Sequence, residues 1–242
     1  MTRLYMPLPL ITGDHLDLPE DAAHHWTRVL RARVGDTAVL FDGAGTEADA
    51  MLQAVSKRGA QVLIGDVRQP TNESPLHTHL GQVMSKGERL DYALQKAVEL
   101  GVSEITLLTS ERCELKLRGE ERADKKLAHW QRVMIGACEQ SGRNTLPLLH
   151  GPISVTDWQT QVQAEQKWVL APAVTGGPQA GAAIPASVAL LIGPEGGLSE
   201  GEIHAAKQVG FQPWQLGPRV LRTETAPVAA LSVLQMIYGD FC

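Results

Sequence analysis

The sequence predicts an α/β protein in two parts, a small β-rich domain at residues 1–70 and a larger domain at residues 71–242. Three observations predict this. The first part has short apolar runs separated by turn residues, as in a β-meander. The second part alternates apolar runs with helical patterns, which is typical of a mainly parallel sheet covered on both faces. Between them, residues 68–75 (RQPTNESP) are polar and bounded by prolines, as expected of a domain boundary.

The N-terminal part shows three short apolar runs within residues 34–67. They are interrupted at Asp42-Gly43-Ala44-Gly45 and at Lys57-Arg58-Gly59, both of which are turn sequences. One helix is predicted over residues 19–35 (PEDAAHHWTRVLRARVG), with a proline at its start and acidic residues in its first turn. A small barrel-like β domain is therefore expected.

The C-terminal part carries five apolar runs, at residues 80–84, 104–108, 168–172, 188–192 and 213–216. Helical spacing of apolar residues lies between them. Leu90, Ala93, Leu94, Ala97 and Val98 follow it in the first such segment, and Leu127, Trp130, Met134 and Ala137 in a later one. Ligands of parallel sheets bind beyond the carboxyl ends of the strands, so the residues that follow each run are the candidates for a site.

Composition excludes several classes of protein. Hydrophobic residues make up 43% and charged residues 20%, the profile of a folded soluble chain. No apolar run is long enough for a membrane span and the N-terminus lacks a signal-peptide pattern, so a cytoplasmic location is expected. The net charge of −5 argues against a general nucleic-acid binder, so an RNA partner requires local basic patches.

Cysteine and histidine patterns indicate no metal. The three cysteines are scattered and odd in number, and Cys138 is expected in the core of a helix rather than as a nucleophile. His24-His25 and the pair His77 and His79 could suggest ligands. No cysteine or carboxylate group near either pair completes a set, so ordinary histidines are predicted.

Two glycine loops follow apolar runs in the C-terminal part. The first reads LIGPEGGLSEGEI (191–203), and within it Ser199 and Glu202 form a capping-box pattern that predicts a helix start. Glu195 would repel a phosphate there, and neither G-x-G-x-x-G nor a Walker A sequence occurs. The second reads LGPRVLRTETA (216–226). Loops that offer backbone amides and a carboxylate suit an adenine-like, cationic ligand without phosphate, such as S-adenosylmethionine.

These two loops closely resemble the RsmE family of 16S rRNA uracil-N3 methyltransferases, in the SPOUT superfamily. Four further segments extend the resemblance over nearly the whole chain: residues 28–36 (RVLRARVGD), 73–102 (ESPLHTHLGQVMSKGERLDYALQKAVELGV), 110–117 (SERCELKL) and 137–144 (ACEQSGRN).

The resemblance implies a SPOUT-type parallel sheet with a C-terminal deep trefoil knot, an exception to the rule that chains are unknotted. It implies a PUA-like N-terminal barrel that binds rRNA, and a homodimer formed through the knotted domains. S-adenosylmethionine is the implied cofactor. The implied cofactor-binding residues are Leu170, Gly193, Pro194, Glu195, Gly196, Gly197, Leu216, Gly217, Leu221, Arg222 and Thr223.

The implied reaction is methylation of N3 of one uridine, U1498, in 16S rRNA of the small ribosomal subunit. We expect Glu224 to act as base or orienter and Arg222 to face developing negative charge; the alternative is a structural pair between the two. Glu195 either contacts the cofactor or caps loop amides. One departure from the family is Pro227, which follows the R-T-E-T run and bears on the start of the next helix.

Candidate rRNA contacts are Arg3, Arg28, Arg31, Arg143 and Asn144. For Arg28 and Arg31 the alternative is a solvated helix face, and for Arg143 it is a helix cap. Three other functions stay open: methylation of a ribose 2′-OH or another base, a non-catalytic RNA-binding assembly factor, and a small-molecule nucleotide-binding enzyme.

Overall fold

The computed structural model describes residues 1–56, 59–70, 72–115, 120–171, 176–181 and 183–241. The chain divides into two compact units. The first contains Met1–Glu73 and Ile135–Leu146, and the second contains Ser74–Met134 and Pro147–Cys242. Among the described residues, no helix is both long enough and apolar enough to cross a bilayer.

A five-stranded sheet forms the first unit. Its strands are β1 (Arg3–Tyr5), β2 (His15–Asp17), β3 (Thr37–Phe41), β4 (Glu47–Ser56) and β5 (Gly59–Arg68). They lie in the order β1-β3-β4-β5-β2, and all pairs except the parallel β1/β3 pair are antiparallel. The antiparallel β3-β4-β5 succession is the predicted meander, and its inward side chains join Leu4, Met6 and Trp26 in one core.

The helix of the first unit is shorter than predicted. Helix α1 (Glu20–His24) continues as a π-helical turn, His25–Val29, in which the Leu30 N–H donates to the His25 carbonyl. Arg31 then adopts a positive φ of 60°, which no helix continues. Buried Trp26 anchors this turn, so packing rather than helix propensity decides where it ends.

The segment Ile135–Leu146 packs with the first unit, whereas a division at residue 70 assigns it to the second. Its polar groups explain this. Glu139 accepts a hydrogen bond from the Tyr5 N–H at 3.1 Å, the Gly142 carbonyl accepts from Asn72 at 2.6 Å, and Thr145 forms a β-bridge with Gly43. These are long-range pairings, which local sequence patterns do not report.

A six-stranded sheet forms the second unit, with all strands parallel, as predicted. In chain order the elements are β6 (His77–Val83), α2 (Glu88–Glu99), β7 (Glu104–Thr109), α3 (Glu120–Ser141), β8 (Leu148–Ser154), α4 (Val155–Gln161), β9 (Gln166–Leu170), β10 (Ser187–Ile192), α5 (Glu200–Gln208), β11 (Gln212–Trp214) and α6 (Thr225–Tyr238). The strand order is β11-β9-β10-β6-β7-β8. Helix α3 begins in this unit and ends in the first.

Strand β8 and helix α4 lack a counterpart in the sequence prediction. Strand β8 is an edge strand that contains Gly151 and Pro152 and buries little of its surface, so it shows no apolar run. Helix α4 has seven residues, which is too short for a helical period to appear.

Candidate functional site

The carboxyl ends of β9, β10 and β11 meet at one edge of the parallel sheet. Trp214 is the register partner of Leu170, and Leu191 is the partner of Val169. Gly193 follows β10 directly and Leu216 follows β11 by two residues, so both lie at the edge where Leu170 ends β9. The structure therefore brings together the three segments that carry the predicted cofactor residues.

The loop after β10 is held closely against its own continuation. A Cβ atom at Gly193 would lie 2.9 Å from the Leu198 nitrogen and 3.0 Å from its Cγ, so only glycine fits without a shift. Gly197 has a φ of +67° and donates its N–H to the Pro194 carbonyl at 2.9 Å. Pro194 is buried, while Glu195, Gly196 and Gly197 are exposed. The loop thus presents backbone and one carboxylate at the surface.

The predicted capping box begins helix α5. The Glu202 N–H donates to Ser199 Oγ at 3.2 Å, and the Ser199 N–H donates to Glu202 Oε2 at 2.8 Å. The second oxygen of Glu202 accepts from the Glu111 N–H at 3.0 Å. Glu202 is buried, and it fixes the glycine loop to the residues that follow β7.

The loop after β11 is joined to the loop after β10 by Thr223. Thr223 Oγ1 donates to the Gly193 carbonyl at 2.9 Å and accepts from Gln82 Nε2 at 3.3 Å. Gly217 has a φ of +76°, and Leu216 and Leu221 are half-buried. Gln82 is the sixth residue of β6 and has no role in the sequence prediction, because it lies inside the apolar run at residues 80–84.

Arg222 and Glu224 lie at the start of helix α6 as a loose pair. Arg222 Nη1 is 4.0 Å from Glu224 Oε1, and the Arg222 side chain is 80% exposed against 17% for Glu224. Within the described residues, the buried Glu224 Oε2 has no hydrogen-bond partner. A solvated arginine at this distance contributes little as a structural ion pair, which leaves the carboxylate available to a ligand.

Pro227 is the third residue of α6 and is buried. The N–H groups of Thr225 and Ala226 both donate to the Arg222 carbonyl, so the helix starts before the proline. A proline in the first turn has no intrahelical N–H bond to lose. The departure from the family pattern is therefore compatible with a regular helix start.

Two arginines hold the exposed face of the glycine loop. Arg89 Nη1 is 2.8 Å from Glu195 Oε1, and Arg112 Nη1 donates to the Gly196 carbonyl at 2.9 Å. Among the described residues Glu195 pairs with Arg89, whereas the sequence leaves open a contact with loop amides or with the cofactor. Lys86, Arg89, Glu114 and Glu195 line a cavity of about 540 Å³ beside the loop.

The candidate RNA contacts all lie in the first unit but differ in exposure. Arg28 and Arg31 are exposed. Arg143 is buried, and its guanidinium pairs with Glu73 at 2.5 Å. Asn144 is buried and accepts a hydrogen bond from Arg3 through its carbonyl oxygen.

Arg3 also donates to Glu47 at 2.8 Å, and Arg68 donates to the other oxygen of that carboxylate at 2.7 Å. Burial alone would raise the pKa of Glu47, but the hydrogen bonds and charges of the two arginines outweigh it and lower the pKa. Arg3 thus belongs to a charged network of the first unit, together with Asn144.

Cys138 is a core residue, as predicted. It is fully buried, and burial raises the pKa of its thiol to about 11. At neutral pH the thiol is protonated, which makes it a poor nucleophile.

The second-unit site fits a ligand that carries cationic or amino donors. Two buried acceptor oxygens, Gln82 Oε1 and Glu224 Oε2, have no partner within the described part of the chain. An unpaired buried acceptor costs free energy, so a ligand N–H group that reaches it is favoured. Glycine carbonyls and amides of the two loops supply neutral contacts.

Comparison with known families gives two matches that cover most of the chain. Residues 72–235 match the RNA methyltransferase domain, and residues 18–65 match the RNA methyltransferase PUA domain. The parallel sheet with its loop site and the β-rich first unit therefore define an RNA methyltransferase with a PUA domain.

Full-length relatives narrow the class to one family. The ribosomal RNA small subunit methyltransferase E of Buchnera aphidicola subsp. Schizaphis graminum is 36% identical over 98% of this chain and 97% of its own length. That of Bacillus subtilis is 33% identical over 95% of this chain and 92% of its own. The chain belongs to this family, the RsmE family.

Two solved structures share the fold over the whole chain. A methyltransferase from Legionella pneumophila, in complex with bound S-adenosylmethionine, has a TM-score of 0.93 and 42% identity, with 99% of each chain covered. The ribosomal RNA small subunit methyltransferase E of Neisseria gonorrhoeae, also bound to S-adenosylmethionine, has a TM-score of 0.90 and 39% identity, with 100% of each chain covered.

Proposed function

We propose that this chain transfers the methyl group of S-adenosylmethionine to N3 of U1498 in 16S rRNA of the small ribosomal subunit. The observation that carries the proposal is the junction of the two glycine loops through Thr223 and Gly193, at the carboxyl edge of the sheet. Family membership supports the reaction class, and the cofactor in two close structural relatives supports the ligand.

The cofactor site is proposed at the ends of β9, β10 and β11. It comprises Leu170, Gly193, Pro194, Glu195, Gly196, Gly197, Leu216, Gly217, Leu221, Arg222 and Thr223. Half-buried Leu170, Leu216 and Leu221 offer apolar surface for an adenine ring. Glu195 is proposed to balance part of the positive charge of the ligand. Its ion pair with Arg89 holds the carboxylate in place.

Methylation of uracil N3 requires removal of the N3 proton, because the nitrogen lone pair is otherwise delocalised into the two carbonyls. When bound, the cofactor supplies the methyl group. The protein must accept the proton, stabilise the negative charge on the uracil oxygens and align N3 with the methyl carbon. Since N3 lies on the Watson–Crick edge, the base must also be unpaired.

Glu224 is proposed to accept the N3 proton or to orient the base, because one of its oxygens is buried and free of other partners within the described residues. Arg222 is proposed to stabilise the charge on the uracil oxygens. Its side chain is mostly exposed and so can move onto a bound base. The 4.0 Å separation leaves both groups free to take these roles.

Recognition of rRNA is proposed for the PUA domain. Arg28 and Arg31 are exposed and suit contacts with phosphates. Arg3, Arg143 and Asn144 are held in the polar networks of the first unit. We propose that these networks support the surface of the domain that contacts RNA. A homodimer through the second unit and a trefoil knot in the chain are part of the same proposal.

Methyl transfer to small ribosomal subunits tests the proposal. Subunits that lack their own modification are incubated with labelled S-adenosylmethionine, and the nucleosides are analysed by mass spectrometry. Appearance of 3-methyluridine at U1498 is the expected result. A 2′-O-methylated nucleoside or another methylated base would show that the enzyme methylates a different position of the RNA. Absence of both methylation and cofactor binding would favour a non-catalytic RNA-binding factor.

A further inference from the structure

Three histidines and one carboxylate meet at the amino ends of strands β6, β7 and β8. His77 and His79 lie on β6, Glu104 is the first residue of β7, and His150 is the third residue of β8. His79 is the register partner of Glu104, and His150 that of Thr106. This edge of the sheet is opposite to the one that carries the glycine loops, so the cluster is separate from the proposed cofactor site.

The geometry points to a binding site for a divalent transition metal, with His79, Glu104 and His150 as ligands. Potential ligand atoms of these three residues all lie within 4.8 Å of one another. Two imidazoles and one carboxylate form a donor set that binds first-row transition metals in preference to Mg²⁺ or Ca²⁺. Zn²⁺ is the natural probe.

Distances within the cluster are close to those of a metal site. His150 Nε2 is 2.8 Å and His79 Nδ1 is 3.8 Å from Glu104 Oε2. Metal bonds of about 2.0–2.2 Å in a tetrahedron place donor atoms about 3.3–3.6 Å apart. The two distances to Glu104 Oε2 lie on either side of this separation, and every pair of ligand atoms is within 4.8 Å, so side-chain rotations can bring the donors to it. His77 Nε2, 3.2 Å from Glu104 Oε1, can supply a fourth donor.

Thr106 holds the ring of His79 in place. Its Oγ1 is 2.7 Å from His79 Nε2, which leaves Nδ1 as the nitrogen that faces Glu104. The indole ring of Trp158 packs edge-on against the same imidazole, at 5.4 Å between centroids, and its Nε1–H donates to His79 Nε2 at 3.4 Å.

The space beside the cluster also suits a bound cation. A cavity of about 440 Å³, lined by His79, Glu104, His150 and Trp158, leaves room for a water or an external ligand on the metal.

The sequence predicts ordinary histidines because no cysteine or carboxylate group near His77 and His79 in the chain completes a ligand set. The parallel sheet supplies that carboxylate from β7 and a further imidazole from β8. The three proposed ligands are therefore close in space but far apart in the chain, so no local sequence motif marks them.

Zn²⁺ binding to the full-length protein tests the inference. The protein is treated with chelator, transferred to metal-free buffer and titrated calorimetrically at pH 7.5, with Co²⁺ absorption as a second probe of coordination. Wild type is expected to bind one equivalent. His150→Gln and Glu104→Gln are each expected to weaken binding by at least about tenfold, and Thr106→Val by about tenfold through loss of the ring contact.

His129→Gln is the matched control, because His129 also pairs with a carboxylate, Asp91 at 2.8 Å, and is similarly exposed to His150. It is expected to bind Zn²⁺ like wild type. Equal thermal midpoints of the metal-free variants establish that each is folded. Unchanged Zn²⁺ affinity in both His150→Gln and Glu104→Gln, or no stoichiometric binding by wild type, would overturn the inference. Neither result depends on methyl transfer.

Discussion

Thr223 Oγ1 donates a hydrogen bond to the carbonyl of Gly193 at 2.9 Å, thirty residues away in the chain. Through this contact the loop after β11 holds the loop after β10 in position, and Gln82 of β6 supports it from the neighbouring strand. Both partners are residues that the family resemblance assigns to the cofactor site. The hydrogen bond makes the two loops one structural unit.

Thr223→Val is expected to weaken S-adenosylmethionine binding about fivefold. The substitution keeps the side-chain volume but removes the hydrogen bond to the Gly193 carbonyl that joins the two loops, and a hydrogen bond of this kind contributes about 1 kcal/mol. Isothermal titration with the cofactor measures the effect. Thr223→Ser keeps the hydroxyl and should bind nearly like wild type; equal losses in both variants would show that packing, not the hydrogen bond, matters.

Glu224→Gln is expected to lower turnover by at least about a hundredfold and to change cofactor affinity by less than about threefold, because proton transfer contributes that much in comparable reactions. Single-turnover methylation of small subunits and cofactor titration measure the two quantities. Glu200→Gln, an exposed carboxylate in the first turn of α5, is the control.

Arg222→Met tests the partner residue in the same assay and should also reduce turnover more than affinity. Arg219→Met is its matched control, since Arg219 is an exposed arginine of the same loop. Parallel losses of turnover and affinity in Glu224→Gln and Arg222→Met would show that the two residues shape the loop and take no part in catalysis.

Gly193→Ala is expected to destabilise the second unit by about 1–3 kcal/mol, because its Cβ would lie 2.9 Å from the Leu198 nitrogen and force the backbone apart. Urea unfolding followed by circular dichroism measures the change. Gly201→Ala is the control, since its Cβ would meet only Ser199 Oγ at 3.7 Å within helix α5. A fully stable Gly193→Ala variant would show that the loop can open without cost.

Glu47→Gln is expected to destabilise the protein at pH 7 by about 1–3 kcal/mol, since Glu47 accepts charged hydrogen bonds from Arg3 and Arg68. The folded-state pKa of Glu47 is lowered. Its contribution is therefore complete above the unfolded pKa of about 4.3 and is lost as pH falls through the folded value. The difference between wild type and variant should shrink between about pH 5 and pH 3.

Thermal unfolding from pH 7 to pH 3 measures this. Asp49→Asn removes the charge of Asp49, an exposed carboxylate whose Oδ1 lies 3.0 Å from Arg68 Nη1. It should destabilise the protein less than Glu47→Gln at every pH. A destabilisation by Glu47→Gln that stays constant down to pH 3 would contradict the lowered pKa.

Local patterns of the chain predicted many of its elements. Apolar runs located β6, β7, β9, β10 and β11, and the Ser199 and Glu202 pattern located the start of α5, because burial and capping act over a few residues. Strand β8 was not predicted, because an edge strand buries little of its surface and needs no apolar run.

By itself, the sequence determined the class of fold, the capping box of α5 and the loops that carry the candidate site, since these follow from residue periodicity and local hydrogen bonding. Only the tertiary structure decided which distant residues meet. It placed Ile135–Leu146 in the first unit, paired Arg89 with Glu195, and brought Glu104 and His150 close to His79. The physical reason is that strand order and register set these contacts, and they arise only when the whole sheet assembles.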